Sequence, residues 1–244
     1  MYSTEIDGRV LQFGTSGWLY RSNKLMYDKG TNTLWRQFRG DPVVGELVGS
    51  GISLELLPVA LTTWSSWVEA HPDTSVLDVR TGVYPVQAYL PESDRGSAYA
   101  DYRDSEDTLF PVPQRSTLLP TKSLVFGLVF NGQPRAYPQE ILEREPVIND
   151  SLGGAGLVVV TPNGGGSRAY RRDDRSFIKV ETGEGGTSEL ILVDDKGITW
   201  KMDEDALVNA SDPSMRLLRL PARSSFWFGW YAFYPSTEVY AAGE

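Results

Sequence analysis

An internal repeat constrains this chain more than any other feature. Leu57-Pro58 recurs 163 residues later as Leu220-Pro221, and the same displacement carries Trp64 onto Trp227, Trp67 onto Trp230, Pro72 onto Pro235, Thr74 onto Thr237 and Val76 onto Val239. His71 falls on Tyr234. Further upstream the displacement drifts by a few residues, as loops of unequal length make it do. Residues 25–30 match 191–197 with one residue inserted, Trp35 matches Trp200, residues 10–13 match 176–180, and Tyr2 matches Tyr170. A shared spacing of this kind means one supersecondary pattern used twice.

Both copies end alike. A Leu-Pro breaker precedes hydroxyl residues suited to cap a helix, Thr62-Thr63 in one and Ser224-Ser225 in the other. Aromatic helices are expected over residues 64–70 and 226–233, each stopping ahead of a proline that disfavours helical backbone just before it. A short strand is expected to close each copy, over 75–79 and 238–241. The second helix is apolar nearly all round, with Phe226, Trp227, Phe228, Trp230, Tyr231 and Phe233, so it is expected at the centre of the molecule or in an oligomer interface. The first keeps a polar face with Ser65, Ser66 and Glu69.

Short apolar or alternating runs at 10–13, 25–27, 124–130, 157–161, 177–181 and 190–193 read as strands. Asn131-Gly132 marks a hairpin returning through 135–137, with a short helix after it over 138–144. The expected fold is α+β, mainly β: two pseudo-symmetric repeats with short aromatic helices packed on antiparallel-rich sheets. The first repeat is expected over 1–83 and the second over 119–244. Residues 84–118, rich in proline, charge and tyrosine, form a connector. Residues 119–169 precede Tyr170, whereas only Met1 precedes Tyr2, so the first copy is expected to lack the upstream part of its own pattern. A missing hairpin leaves an open sheet edge.

Composition removes several function classes. The net charge is −9 with no basic stripe, which argues against nucleic acid and against a polybasic membrane contact. There is no cysteine, so thiolate chemistry and Cys-type metal sites are absent, and one histidine cannot make a multi-His centre. No apolar run approaches membrane-spanning length, and residues 1–8 carry no signal-peptide pattern. Nothing in the pattern calls for a cofactor.

Residues 7–9, 13–17, 21–28 and 33–35 and the run from Trp64 to His71-Pro72-Asp73-Thr74, with Ala136-Tyr137-Pro138 and Val147-Ile148-Asn149-Asp150 in the second copy, resemble the family numbered 3179 among the domains of unknown function. The resemblance covers nearly the whole chain. It implies relatives that begin earlier, with a Cys-x-x-Cys-like pair just before the position of Met1. Neither copy here has that pair; the equivalent stretch in the second, residues 161–166, holds no cysteine. The resemblance also implies an extracytoplasmic setting, because many relatives carry export signals, and it implies no activity.

The densest polar stretch is Ser16, Arg21, Asn23, Lys24, Tyr27 and Asp28, with Ser22 among them and Gly14 and Gly17 beside them. It is expected to form a ligand site, with Arg21 and Lys24 holding a small anionic group and Asp28 orienting it or accepting a proton. The competing expectation is a strand, loop and strand in which Asp28 caps a turn, since an aspartate recurs there in the second copy. His71 reads as a helix C-terminal cap or a general base. Met26 and the paired tryptophans read as core. The acidic cluster Asp101, Asp104, Glu106 and Asp107 lacks the glycine of a calcium loop, and the glycine run 164–166 lacks the lysine of a phosphate loop. The functional expectation is a binding or scaffold module for a small anionic ligand or a protein partner, associating as a homo-oligomer through apolar surface. The alternative is an enzyme or metal- or redox-linked protein whose cysteine-bearing segment lies upstream.

Overall fold

Asn131 and Gly132 both adopt positive φ, 47° and 78°, which the tight turn between β7 (Leu124–Phe130) and β8 (Gln133–Pro138) requires. In the computed structural model, which describes residues 1–6, 8–91, 94–163, 165–182 and 190–241, this hairpin is the platform of the second copy. Asp7 of the 7–9 motif and Gly164 of the glycine run lie outside the described residues.

The chain opens with a small hairpin, β1 (Glu5–Ile6) and β2 (Arg9–Val10). An antiparallel four-stranded sheet follows: β3 (Phe13–Tyr20), β4 (Asn23–Asp28), β5 (Leu34–Arg36) and β6 (Pro42–Val44). Then comes helix α1 (Trp64–Ala70). The connector carries a single 3-10 turn, Val86–Tyr89, and α2 (Ala100–Asp104). After the β7–β8 hairpin come α3 (Gln139–Arg144), β9 (Val147–Leu152), β10 (Ala155–Val160), β11 (Arg168–Arg171), β12 (Phe177–Thr182), β13 (Leu190–Asp194), β14 (Thr199–Met202), β15 (Ala206–Asn209) and β16 (Arg216–Leu220). β17 (Ala222–Phe226), α4 (Trp227–Phe233) and β18 (Glu238–Val239) end the fold.

An eight-stranded sheet runs in the order β12-β13-β14-β15-β16-β11-β10-β9. It curls until its ends meet. The Asn149 side chain on β9 donates from Nδ2 to the Phe177 carbonyl of β12 at 2.7 Å, and its Oδ1 accepts the Phe177 N–H at 2.8 Å. That staple nearly closes a barrel, whose interior takes Val158, Val160, Tyr170, Phe177, Leu192, Trp200, Leu207 and Leu217 from the inward face of its strands. A second sheet has the order β17-β7-β8-β18, with β18 parallel to β8 and the other pairs antiparallel. Helix α4 lies on it. A side-chain carbon at Gly127 of β7 would stand 2.3 Å from the Trp230 ring, so glycine lets the indole rest on the strand itself.

The repeat is visible as shared geometry. Trp35 Nε1 donates to Asp28 at 3.0 Å, and Trp200 Nε1 to Asp194 at 3.1 Å. Phe13 meets Trp35 edge-on, as Phe177 meets Trp200. Trp67 and Trp230 each donate to a threonine seven residues on, Thr74 and Thr237, at 2.9 Å. The bridge Tyr2–Leu56 has its equivalent in the pairing Tyr170–Arg219. The chain is mainly β, with short aromatic helices on sheets that are mostly antiparallel.

The copies part company around their helices. Thr63 caps α1 as expected, its hydroxyl accepting the Ser66 N–H. Ser224 and Ser225 do not cap α4: β17 runs on through Phe226 because β7 pairs with it, and Phe226 becomes the N-cap without a side-chain bond. The strand expected over 75–79 does not form, whereas its equivalent β18 pairs with β8. Trp227 is 1% exposed and Trp64 is 55% exposed. One cause covers all of this: α4, β17 and β18 surround the β7–β8 hairpin, and no such hairpin lies against α1 among the described residues.

Candidate functional site

Ser16, Arg21, Asn23, Lys24, Tyr27 and Asp28 all lie on the β3–β4 hairpin, yet they serve different neighbours. The Ser16 hydroxyl donates to the Leu25 carbonyl at 2.6 Å and accepts the Trp18 N–H, which stabilises the bulge in β3. Tyr27 covers Gly14 across the ladder. Lys24 is exposed. Asn23 Oδ1 is buried without a hydrogen-bond partner among the described residues. Asp28 is buried and accepts from Trp35, from the Thr31 hydroxyl and from the Thr31 backbone N–H. Burial opposes its charge, but these hydrogen bonds and that from Gly30 outweigh it and hold the carboxyl below its usual range.

Arg21 sits in the hairpin turn at positive φ. Its guanidinium donates to the Ala232 carbonyl in the last turn of α4 and to Gln114 Oε1, and lies over the rings of Tyr20 and Phe233. It therefore pins the first copy's hairpin to the second copy's helix. Arg21→Ala is expected to lower stability by about 1–2 kcal/mol through the lost charged hydrogen bond and stem packing, read as a shifted urea midpoint at constant m-value.

Contacts around the two helix ends differ in one respect that matters. At the end of α4, Phe233 stacks on Phe38 at 4.7 Å, Tyr234 sits 6.1 Å from the same ring, and the Arg223 guanidinium lies 4.8 Å over it. Arg223 also donates to the Tyr2 hydroxyl at 3.1 Å. That junction is filled. At the end of α1 the equivalent residues are Ala70 for Phe233, His71 for Tyr234 and Ala60 for Arg223, and Met202 and Asp203 follow Trp200 where Gln37 and Phe38 follow Trp35. A phenyl ring and a guanidinium are missing, and a cleft of about 870 Å³ lies beside Ala70 and His71. That volume lies in the range of small-molecule sites.

One wall of the cleft is Thr62, Ser66, Trp67, Ala70 and His71; the other includes Asn163, Arg168, Met202, Asp203, Glu204 and Asp205. The imidazole of His71 packs against Trp67, tilted by 35° with ring centroids 4.0 Å apart. Thr62 bridges to Gly165, so the two walls are joined at one end. In the second wall, Arg168 of β11 binds Glu204, which rises from the β14–β15 turn, and Arg219 of β16 binds the same carboxylate. Arg168 Nη2 reaches Oε1 at 3.2 Å, and Arg219 Nη1 reaches Oε2 at 2.6 Å and the Glu204 carbonyl at 2.8 Å. Burial opposes the charge of Glu204, but the two guanidiniums overcome it and hold the carboxyl below its usual range. Arg219 Nη2 is buried with no hydrogen-bond partner among the described residues, a cost of about 1–3 kcal/mol. Asp205 is taken by Arg216 at 2.9 Å.

Of the residues singled out in the sequence, Thr62, Ser66, Trp67, Glu69, His71 and Gly165 line this cleft. Arg168, Glu204 and Arg219 carried no motif. A signal did exist for the cleft itself: the repeat pairs Ala70 with Phe233 and Ala60 with Arg223, and such mismatches mark where one copy has lost bulk. Among the described residues no group of three His, Cys, Asp or Glu is placed to hold a metal ion, and no helix is long and apolar enough to cross a membrane. The family model described as a protein of unknown function, DUF3179, matches residues 1–237. No curated protein and no solved structure matches the chain.

Proposed function

The chain belongs to the DUF3179 family, whose description assigns no activity, and on that footing we propose that it is a small-molecule-binding module whose ligand occupies the cleft between α1 and the β14–β15 turn. The observation that carries this reading is the contrast between equivalent junctions: the one beside α4 is packed with aromatic rings, and the one beside α1 is open. A protein that needed both junctions only for rigidity has the side chains for it in its own second copy. The acidic net charge favours a small ligand over nucleic acid.

In the β3–β4 hairpin, the first place to look from sequence, Arg21 is engaged with α4 and Asp28 with its own turn. A small anionic ligand remains the reading, and the cleft is its seat.

The test imports the second copy's packing. In the double variant Ala70→Phe/His71→Tyr the cleft is filled with side chains that already fit the equivalent junction. A thermal-shift screen of small organic acids, amines and sugars is run on wild type and variant. A ligand at a hundred times its Kd contributes about 2.7 kcal/mol, which for a chain of this size is a rise of about 5–10 °C. Hits that shift wild type by that order and leave the double variant unmoved support the reading. Hits that shift both equally, or no hits, overturn it.

A further inference from the structure

The inference concerns what the cleft receives, and it rests on the reading of the cleft as the ligand site. Arg168 and Arg219 come from neighbouring strands, since β11 pairs with β16 and Tyr170 stands opposite Arg219. Their side chains are 10% and 3% exposed, whereas Glu204, the carboxylate between them, is 53% exposed. Two buried cations thus share one half-exposed anion, and one buried guanidinium N–H, Arg219 Nη2, has no acceptor among the described residues. Burying charge without full pairing is unfavourable, so a fold selected for stability alone would avoid it. The first copy does avoid it: the position equivalent to Arg219 is Leu56, paired to Tyr2 as Arg219 is to Tyr170. Among the described residues the guanidinium pair therefore occurs in the second copy, whose β14–β15 turn forms the wall opposite α1.

We propose that Glu204 occupies an oxyanion seat built from Arg168 and Arg219, and that the ligand is a small organic carboxylate whose own carboxyl group displaces Glu204 from it. Glu204 swings on the β14–β15 turn toward the solvent it already half meets. The incoming carboxylate then takes donors from both arginines in the planar, bidentate geometry that guanidinium favours, including the idle Nη2. The rest of the ligand lies along Trp67, Ala70 and Met202, an aromatic and apolar strip. Of the four acidic side chains at the cleft, Glu204 is committed to two arginines and Asp205 to Arg216, while Glu69 on α1 and Asp203 beside Glu204 also line it.

Titration calorimetry on the full chain tests this with phenylacetate and glutarate, each against its amide, phenylacetamide and glutaramide. The proteins are wild type, Glu204→Gln, Arg219→Lys and the cleft-filling double variant. Glutamine binds the guanidiniums less tightly than glutamate, so both carboxylates are expected to bind Glu204→Gln about tenfold more tightly than wild type. Arg219→Lys is expected to weaken them about tenfold, and the amides are expected not to bind. Unchanged or weaker carboxylate binding to Glu204→Gln overturns the seat, as does equal binding of amides and carboxylates, or no carboxylate binding at millimolar concentration to either protein. Should Arg219→Lys fail to fold, Glu204→Gln decides alone. The two proposals fail differently: amides and carboxylates that bind alike and are both blocked by the filled cleft leave the cleft standing without the seat, while binding that ignores the filled cleft removes both.

Discussion

Trp227→Ala is expected to cost about 3–5 kcal/mol of stability, whereas Trp64→Ala, at the equivalent position of the other copy, is expected to cost no more than about 0.5 kcal/mol. Trp227 is buried against Tyr231 in the cluster that holds Phe38, Val125 and Trp230, and its N–H reaches the Ser116 carbonyl at 3.4 Å. Removing it leaves a cavity that the surrounding helix and sheet cannot close. Trp64 lies largely in water, so alanine there loses little packing. Urea denaturation monitored by circular dichroism reads both values. Equal costs at the two positions would mean that α1 is covered as α4 is.

The second large effect lies in the buried aspartate that each copy places under its tryptophan. Asp194 is fully buried and accepts from Trp200 Nε1 and from the backbone N–H groups of Lys196 and Ile198 at 2.9–3.1 Å. Asp194→Ala strands three donors at once, each worth about 1.5–3 kcal/mol when its acceptor is charged, so a loss of at least about 3 kcal/mol is expected. Asp28→Ala acts on the same design in the first copy, where the acceptor serves Trp35 and Thr31. Asp28 adds a pH signature. Its folded carboxyl titrates below the ordinary value of 3.8, so its contribution is present above that value and is lost as pH falls toward the folded one. Wild type is therefore expected to lose stability on acidification below about pH 4, and Asp28→Asn, weaker at neutral pH, to show a shallower acid limb. An acid limb of the same slope in both proteins would separate Asp28 from acid unfolding.

Much of this was legible in the residues. The tryptophans, the turn aspartates and the Asn131-Gly132 hairpin act through neighbours close in sequence, so their spacing carries their geometry. Asp28 illustrates the limit. Its recurrence as Asp194 pointed to a turn, and the structure has both capping a turn and receiving an indole from the next strand. Arg21 illustrates the opposite case. Its partner, the Ala232 carbonyl, lies far along the chain, and no local pattern announces a long-range backbone acceptor.

What the sequence alone determined is that one β-rich unit occurs twice, with the same Trp-x-x-Trp helix and the same turn aspartate, because those depend on side-chain type at short range. The all-round apolar character of α4 against the polar face of α1 already pointed to burial of α4; only the tertiary structure decided what covers it, which is the β7–β8 hairpin. It also decided where the cleft is. A cleft needs side chains that are small, Ala70 here, and smallness acquires meaning only when the opposite wall is in place. Arg168, Glu204 and Arg219 meet for the same reason: β11 pairs with β16, which is distant from it in sequence, and the β14–β15 turn lies at the same end of that sheet.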